Sequence, residues 1–279
     1  VKASYILRNL KLIERNTQWL RSNISGYQKL KFYIDIPVAY LRYFTQGKKY
    51  INYLGNILYF DNPATPLNIQ IYPYEIGSKI FGNMDTLPGN ILDIGGNIGQ
   101  FSITAHQLLD RLGVNNPLID VFEPNPAPFD VLSHNTKDMG GITIYNVGVG
   151  PKDSKKTLYY EENRSGTGSF DQKNTMSIGA NIKEQQVSIT ANIQKYTGTS
   201  KYDLIKIDVE GFEYEVLRGL RGLKTSYLYV ELSMPGRELN FDHSDFFNIV
   251  ENIFGTYRIA YVSKANTQSH DVELLLKFI

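Results

Sequence analysis

Charged residues stand where short apolar runs end: Asp93 in NILDIGG, Glu123 in LIDVFEP, and Lys206, Asp208 and Glu210 in DLIKIDVEG. A strand covered on both faces should be almost wholly apolar, and Leu204, Ile205, Ile207 and Val209 obey that rule. Lys206, Asp208 and Glu210 do not, and they share one phase of the strand. Buried charge without a partner is costly, so these three must pair with each other, with a ligand or with water. Two chemistries fit. One is a structural ion-pair network. In the other, Asp208 or Glu210 is a general base for a poor nucleophile such as an alcohol, or a ligand of a divalent metal that acidifies it, while Lys206 tunes the acids or steadies an alkoxide. Glu231, ending YLYVELS, is a further acid for the same rim. His243 in FDHSD could supply a base from a loop but reads more simply as a surface residue before a helix, and His106 reads as helix packing. There is no His-rich metal motif and no Gly-x-Ser-x-Gly, so metalloprotease and serine-hydrolase chemistry lack support.

The stretch NILDIGGNIGQFS turns from a strand into a helix through Gly95, Gly96 and Gly99. Such a turn lets a ligand touch backbone and helix N-terminus together. A phosphate loop would close on Gly-Lys-Ser/Thr, but Gln100 and Phe101 follow Gly99. A dinucleotide fingerprint counted from Gly95 needs glycine at Asn97 and Gln100, and fails at both. S-adenosylmethionine is the third possibility, since its methionine end carries a carboxylate and an ammonium instead of a pyrophosphate. Asp93 suits the ammonium, directly or through water, and the turn with Asn97 suits the carboxylate. Glu123, at the tip of the next strand, is placed to accept hydrogen bonds from both ribose hydroxyls.

These residues need an α/β scaffold. From residue 88 onward, NILDIGG, PLIDVFEP, GITIYNVGVG, YDLIKIDVEG, SYLYVELS, YRIAYVS and VELLLKFI read as strands, with helices predicted at 100–112, 127–138, 212–222 and 244–254. The segment 151–200 is an insertion. KKTLYYEEN and QQVSITANIQKY are predicted strands, the second alternating through Val187, Ile189, Ala191 and Ile193, with NRSGTGSF as a loop between them. Residues 1–74 read as an extension, helical to about 50, then short strands at 56–63 and 67–73; the main domain is expected over 75–279. The 279 residues, with 42% hydrophobic and 20% charged, can bury a sizeable core. A net charge of +1 carries no footprint of nucleic-acid binding, and no cysteine is present for disulfides, thiolate metal sites or nucleophiles. No apolar run reaches the roughly 18 residues of a membrane span, and the expectation is a cytoplasmic protein. Sequons at Asn23 and Asn163 are weak signals without secretion.

DIGGNIGQFS, FEPNP, NVGVG and above all DLIKIDVEGFEYEVLRG together resemble the FkbM-family methyltransferases, a branch of the class I S-adenosylmethionine-dependent enzymes. The resemblance covers roughly residues 75 to 265. It implies a Rossmann-like, mostly parallel seven-stranded sheet with the last strand antiparallel, and methylation of a hydroxyl oxygen. By resemblance, Gly95, Gly96 and Asn97 hold the methionine end, Glu123 the ribose, and the segment around Val147 and Gly148 lies beside adenine. The acceptor implied is a small molecule, sugar, glycan or natural product. The alternatives are a non-catalytic scaffold of the same fold and a nucleotide-sugar or NAD-binding enzyme.

Overall fold

The computed structural model describes residues 35, 38–39, 41–47, 49–54, 56–60, 72–161, 164–172, 182–232, 244–263 and 272–279. Most of the expected N-terminal helical region, the start of the strand expected at 67–73, the asparagines of both sequons and His243 lie outside them.

Seven strands form the central sheet: β3 (Asn90–Ile94), β4 (Leu118–Phe122), β5 (Ile142–Tyr145), β10 (Lys201–Ile207), β11 (Lys224–Leu232), β12 (Tyr257–Val262) and β13 (Val272–Phe278). Their spatial order is β12-β13-β11-β10-β3-β4-β5. Neighbours run parallel except for β13, which is antiparallel to both β11 and β12. This is the α/β class I methyltransferase-like sheet that the family resemblance implied. Winding reverses between β3 and β10, and open α/β sheets bind ligands outside the carboxyl ends of strands at such a reversal.

Burial on both faces explains the apolar strands. On one face Leu92, Ile94, Ile205, Ile207 and Val230 pack with Val216 and Leu217 of α4 (Glu213–Gly219) and Phe246 and Val250 of α5 (Ser244–Phe254). On the other, Ile91, Leu204 and Val121 meet Phe101, Ala105 and Leu109 of α1 (Gln100–Arg111) and Leu132 of α2 (Pro126–Thr136). A π-helix, Glu75–Ile80, closes that second face with Ile76 and Ile80. The 67–73 run is therefore not a strand at its end: Tyr72–Tyr74 is helical and runs straight into the π-helix.

The insertion makes a separate sheet in the order β6-β9-β7-β8, from Gly148–Val149, Ile182–Thr190, Ser154–Glu161 and Arg164–Ser169 respectively. Three sequence expectations change here. GITIYNVGVG divides, with β5 in the main sheet and β6 pairing β9 in the small one. The glycine- and serine-rich segment is strand β8, because pairing with β7 supplies the ladder that its own weak strand propensity would not. Ile193 leaves the alternation of β9 and opens α3 (Ile193–Thr197), capped by the Asn192 side chain accepting from the Lys195 amide at 3.0 Å. A hairpin of β1 (Tyr50–Tyr53) and β2 (Asn56–Tyr59) shares a core with Ile98 and Ile103 behind the glycine turn. Tyr53 Oη and Thr104 Oγ1 lie 2.9 Å apart there.

Candidate functional site

The carboxyl ends of β3, β4 and β10 open into a cleft of ≈ 280 Å³. Gly95, Gly96, Asn97, Glu123, Gly148, Lys206, Asp208 and Glu210 line it, as does Glu231. Asp93, Gly99 and Val147 stand behind this lining rather than in it.

The glycine turn is close to something, but that something is the protein itself. A Cβ on Gly95 would lie 1.8 Å from the Asp208 carbonyl oxygen, and Gly95 has φ +88. At Gly96 it would meet Val121 Cγ1 at 2.2 Å, and at Gly99 Leu132 Cδ1 at 2.8 Å. Each glycine lets one neighbouring element in: the end of β10, strand β4 and helix α2. Asn97 also has positive φ, at 48. The tight turn aims its backbone amide at Glu123 Oε2, 2.8 Å away.

Glu123 fastens two loops. Besides Asn97, its Oε1 accepts from the Asn125 amide at 2.7 Å. Asn125 in turn caps α2, its side chain accepting from the Ala127 amide at 3.2 Å with Pro126 beginning the helix. Burial pushes the Glu123 carboxyl up to about 7, although the two amides and Lys206 pull it down. Two buried polar atoms on the wall, Asn97 Oδ1 and Asn125 Nδ2, have no hydrogen-bond partner among the described residues. Buried polar groups are rarely left so, and a ligand in the cleft would satisfy both.

The charged strand splits into two parts. β10 ends at Ile207, so only Lys206 lies in the ladder, beside Asp93 of β3. Its ammonium is 3.0 Å from Asp93 Oδ1 and 3.4 Å from Asp208 Oδ2, and it donates to the Gly95 carbonyl at 2.9 Å. Burial alone would lower the Lys206 ammonium, but the two carboxylates hold it above its ordinary value. Asp93 is wholly buried and also accepts from Ser102 Oγ. Burial raises its carboxyl against the pull of Lys206 and Ser102. Asp208 is bonded back to β3 through its amide, 3.1 Å from the Ile94 carbonyl. Glu210 does not continue the alternation, because φ +52 turns the chain there. Its carbonyl accepts from Ser169 Oγ of β8 at 2.9 Å, which ties the turn to the small sheet. A non-glycine residue held at positive φ next to a cleft is stored strain of the kind found at functional sites.

Among the described residues, no three His, Asp or Glu side chains converge as a metal site. Asp208 Oδ2 is already engaged by the Lys206 ammonium at 3.4 Å. The described residues offer no metal-binding cluster, and no step below uses a metal.

Tyr72, Phe101, Asn125 and Phe170 also line the cleft, and sequence reasoning passed over all four. Tyr72 precedes the family-like region, and Phe170 reaches the site only because β8 folds back. Asn125 alone had a signal, the Asn-Pro helix start that follows Glu123.

Residues 93–264, more than half of the chain, match the family model described as the methyltransferase FkbM domain. Methyltransferase 1 of Beauveria bassiana is 28% identical over 182 residues, covering 58% of this chain and 71% of that protein. Hexuronic acid methyltransferase AglP of Haloferax volcanii is 28% identical over 141 residues, covering 50% of this chain and 52% of that protein. The crystal structure of methyltransferase FkbM from Methylobacillus flagellatus aligns with a TM-score of 0.48 at 15% identity, covering 77% of this chain and 54% of that one. The chain thus spans about half the length of two of these three proteins. No helix of the described residues is long and apolar enough to cross a membrane.

Proposed function

The chain belongs to the FkbM methyltransferase family, and from that premise we propose that it methylates a hydroxyl oxygen on a sugar, glycan or natural product. As an S-adenosylmethionine-dependent methyltransferase, it draws on a cofactor that supplies an already activated methyl group. The observation that carries the oxygen acceptor is the Lys206–Asp208 pair at the cleft, with Glu210 and Glu231 beside it. A relative named for hexuronic acid supports a sugar.

In this reading Glu123 accepts hydrogen bonds from the ribose hydroxyls. Gly95, Gly96 and Asn97 cradle the methionine end, and Gly148 lies beside adenine, with Val147 and Gly99 supporting the wall from behind. Asp93 serves the ammonium end indirectly, by holding Lys206 in place. Lys206 fixes the direction of the Asp208 carboxylate and stays charged. Asp208 would take the hydroxyl proton of an acceptor to which bound S-adenosylmethionine would supply its methyl group, with Glu210 as the second candidate base. Alignment of the acceptor along the sulfur–carbon axis supplies much of the remaining acceleration.

The test is transfer of labelled methyl from S-adenosylmethionine to a panel of alcohol, amine and carboxylic acid acceptors. Ethers among the products are expected. Label confined to amine nitrogen or carboxylate oxygen would refute the proposal.

A further inference from the structure

We propose that Ser169, on strand β8 of the inserted sheet, is a positioning residue that holds the turn carrying Asp208 and Glu210 in the shape an acceptor meets. The inference rests on the methyl-transfer reading above for what that turn does, and on geometry for how it is held.

The turn is fixed from three directions. At its start the Asp208 amide donates to the Ile94 carbonyl of β3 at 3.1 Å. At its end the Gly211 amide donates to Glu213 Oε1 of α4 at 2.8 Å, and Glu213 is buried. Between them stands Glu210, whose φ of +52 is unfavourable for a residue with a Cβ. Such backbone persists only where its surroundings over-determine it. The Ser169 hydroxyl donates to the Glu210 carbonyl at 2.9 Å, and so grips the chain at the strained residue itself.

Ser169 is well placed to do this. Its Oγ also accepts from the Asp171 amide at 3.2 Å, which leaves the hydroxyl hydrogen to point at Glu210. The residue is buried and pairs with Tyr159 in the β7–β8 ladder, so the bond is sheltered from water. Next to it, Phe170 packs on Phe212 with ring centroids 4.6 Å apart, and Lys156 of β7 lies over the same Phe212 ring at 5.1 Å. The inserted sheet therefore holds the segment after β10 at two places, Glu210 and Phe212. The cofactor side of the cleft is held by other bonds. There the Asn97 and Asn125 amides donate to Glu123 at 2.8 and 2.7 Å. Loss of the Ser169 hydroxyl should loosen the acceptor side and spare the glycine turn.

The Gly211 and Asn97 amides are matched reporters, since each donates from a turn to a buried carboxylate. Residue-resolved hydrogen exchange of the full chain, without cofactor or acceptor, compares them by NMR. In Ser169→Ala the Gly211 amide should exchange about tenfold faster or more, while Asn97 changes by less than about twofold. Turnover of a pool of methyl hexosides with labelled S-adenosylmethionine, at saturating cofactor, should fall about tenfold. Cofactor affinity by calorimetry should stay at the wild-type value. Ser169→Thr keeps the hydroxyl and should match the wild type in both measurements. Should Ser169→Ala not fold, Ser169→Cys replaces it, having nearly the same shape and a weaker donor. Gly211 exchange left unmoved by the loss of the hydroxyl would overturn the proposal. So would Gly211 and Asn97 rising together, which marks general loosening, or Ser169→Thr behaving like Ser169→Ala, which traces the effect to packing. A wild type that labels no acceptor would remove the methyl-transfer reading, and the exchange comparison would still decide whether Ser169 holds the turn.

Discussion

Two turns leave adjacent parallel strands at the same rim of the sheet, and they are built on opposite principles. The turn after β3 works by what its residues lack. Gly95, Gly96 and Gly99 have no side chains, and Asp208, Val121 and Leu132 fill the space. The turn after β10 works by what its residues carry, with Asp208 and Glu210 both lining the cleft. The first is therefore bound to the fold, while side-chain changes in the second are expected to leave a folded protein. The two are not independent, because the Asp208 carbonyl is the atom that Gly95 accommodates and Lys206 bonds to both turns.

Gly95→Val should break this contrast most severely. Its Cβ would overlap the Asp208 carbonyl, and a β-branched residue would have to hold φ near +88. Overpacking together with backbone strain should cost about 3–5 kcal/mol of stability, and cofactor binding should go with it. Urea denaturation measures the first loss and calorimetry the second. A variant that unfolds at the wild-type midpoint would mean the turn has room that the geometry denies it.

Asp208→Asn sharpens the contrast from the other side. The amide keeps the shape and stays within reach of Lys206, so cofactor affinity and melting temperature should change little. Turnover should fall by about 10²–10⁴-fold, the usual effect of removing a general base. Glu210→Gln should show the same pattern if it shares that role. A fall in melting temperature with normal turnover per folded molecule would instead mark Lys206 and Asp208 as a purely structural pair.

Glu123 joins the two principles, and its effect should be the smallest and the most dependent on pH. Its carboxyl is raised from an ordinary 4.5 to about 7, first by burial. In the cofactor-free protein this contributes stability below about pH 4.5 that is lost as pH rises through about 7. Ribose hydroxyls donate to the ionised form, so cofactor affinity should run the other way. It should be about tenfold weaker at pH 6 than at pH 8, with proton uptake from the protein by the buffer on binding near neutrality. Glu123→Gln should flatten that profile and weaken binding by about 1–3 kcal/mol. Calorimetry in two buffers of different ionisation heat reads both. An equally steep profile in Glu123→Gln would assign the titration to another group.

Much of the fold was legible because its parallel strands are buried on both faces and so read as unbroken apolar runs. The helices over 100–112 and 244–254 were likewise marked by their residues and differ from the observed spans by a residue at most. What misled was alternation carried past its end. Glu210 and Ile193 continue a pattern on paper, but a positive φ at Glu210 and a cap at Asn192 stop the strands before either is reached.

By itself the sequence determined the family, the sheet and the residue types at the rim, because each depends on local pattern and on order along the chain. Only the tertiary structure decided which charges are already paired. Asp93 and Lys206 are distant in sequence and adjacent in space, so no spacing rule could show that Asp93 faces inward or that Lys206 has no charge to spare. It also decided what the glycines are for. A missing Cβ looks the same in a sequence whether a ligand or a carbonyl takes its place, and here the carbonyl of Asp208 does.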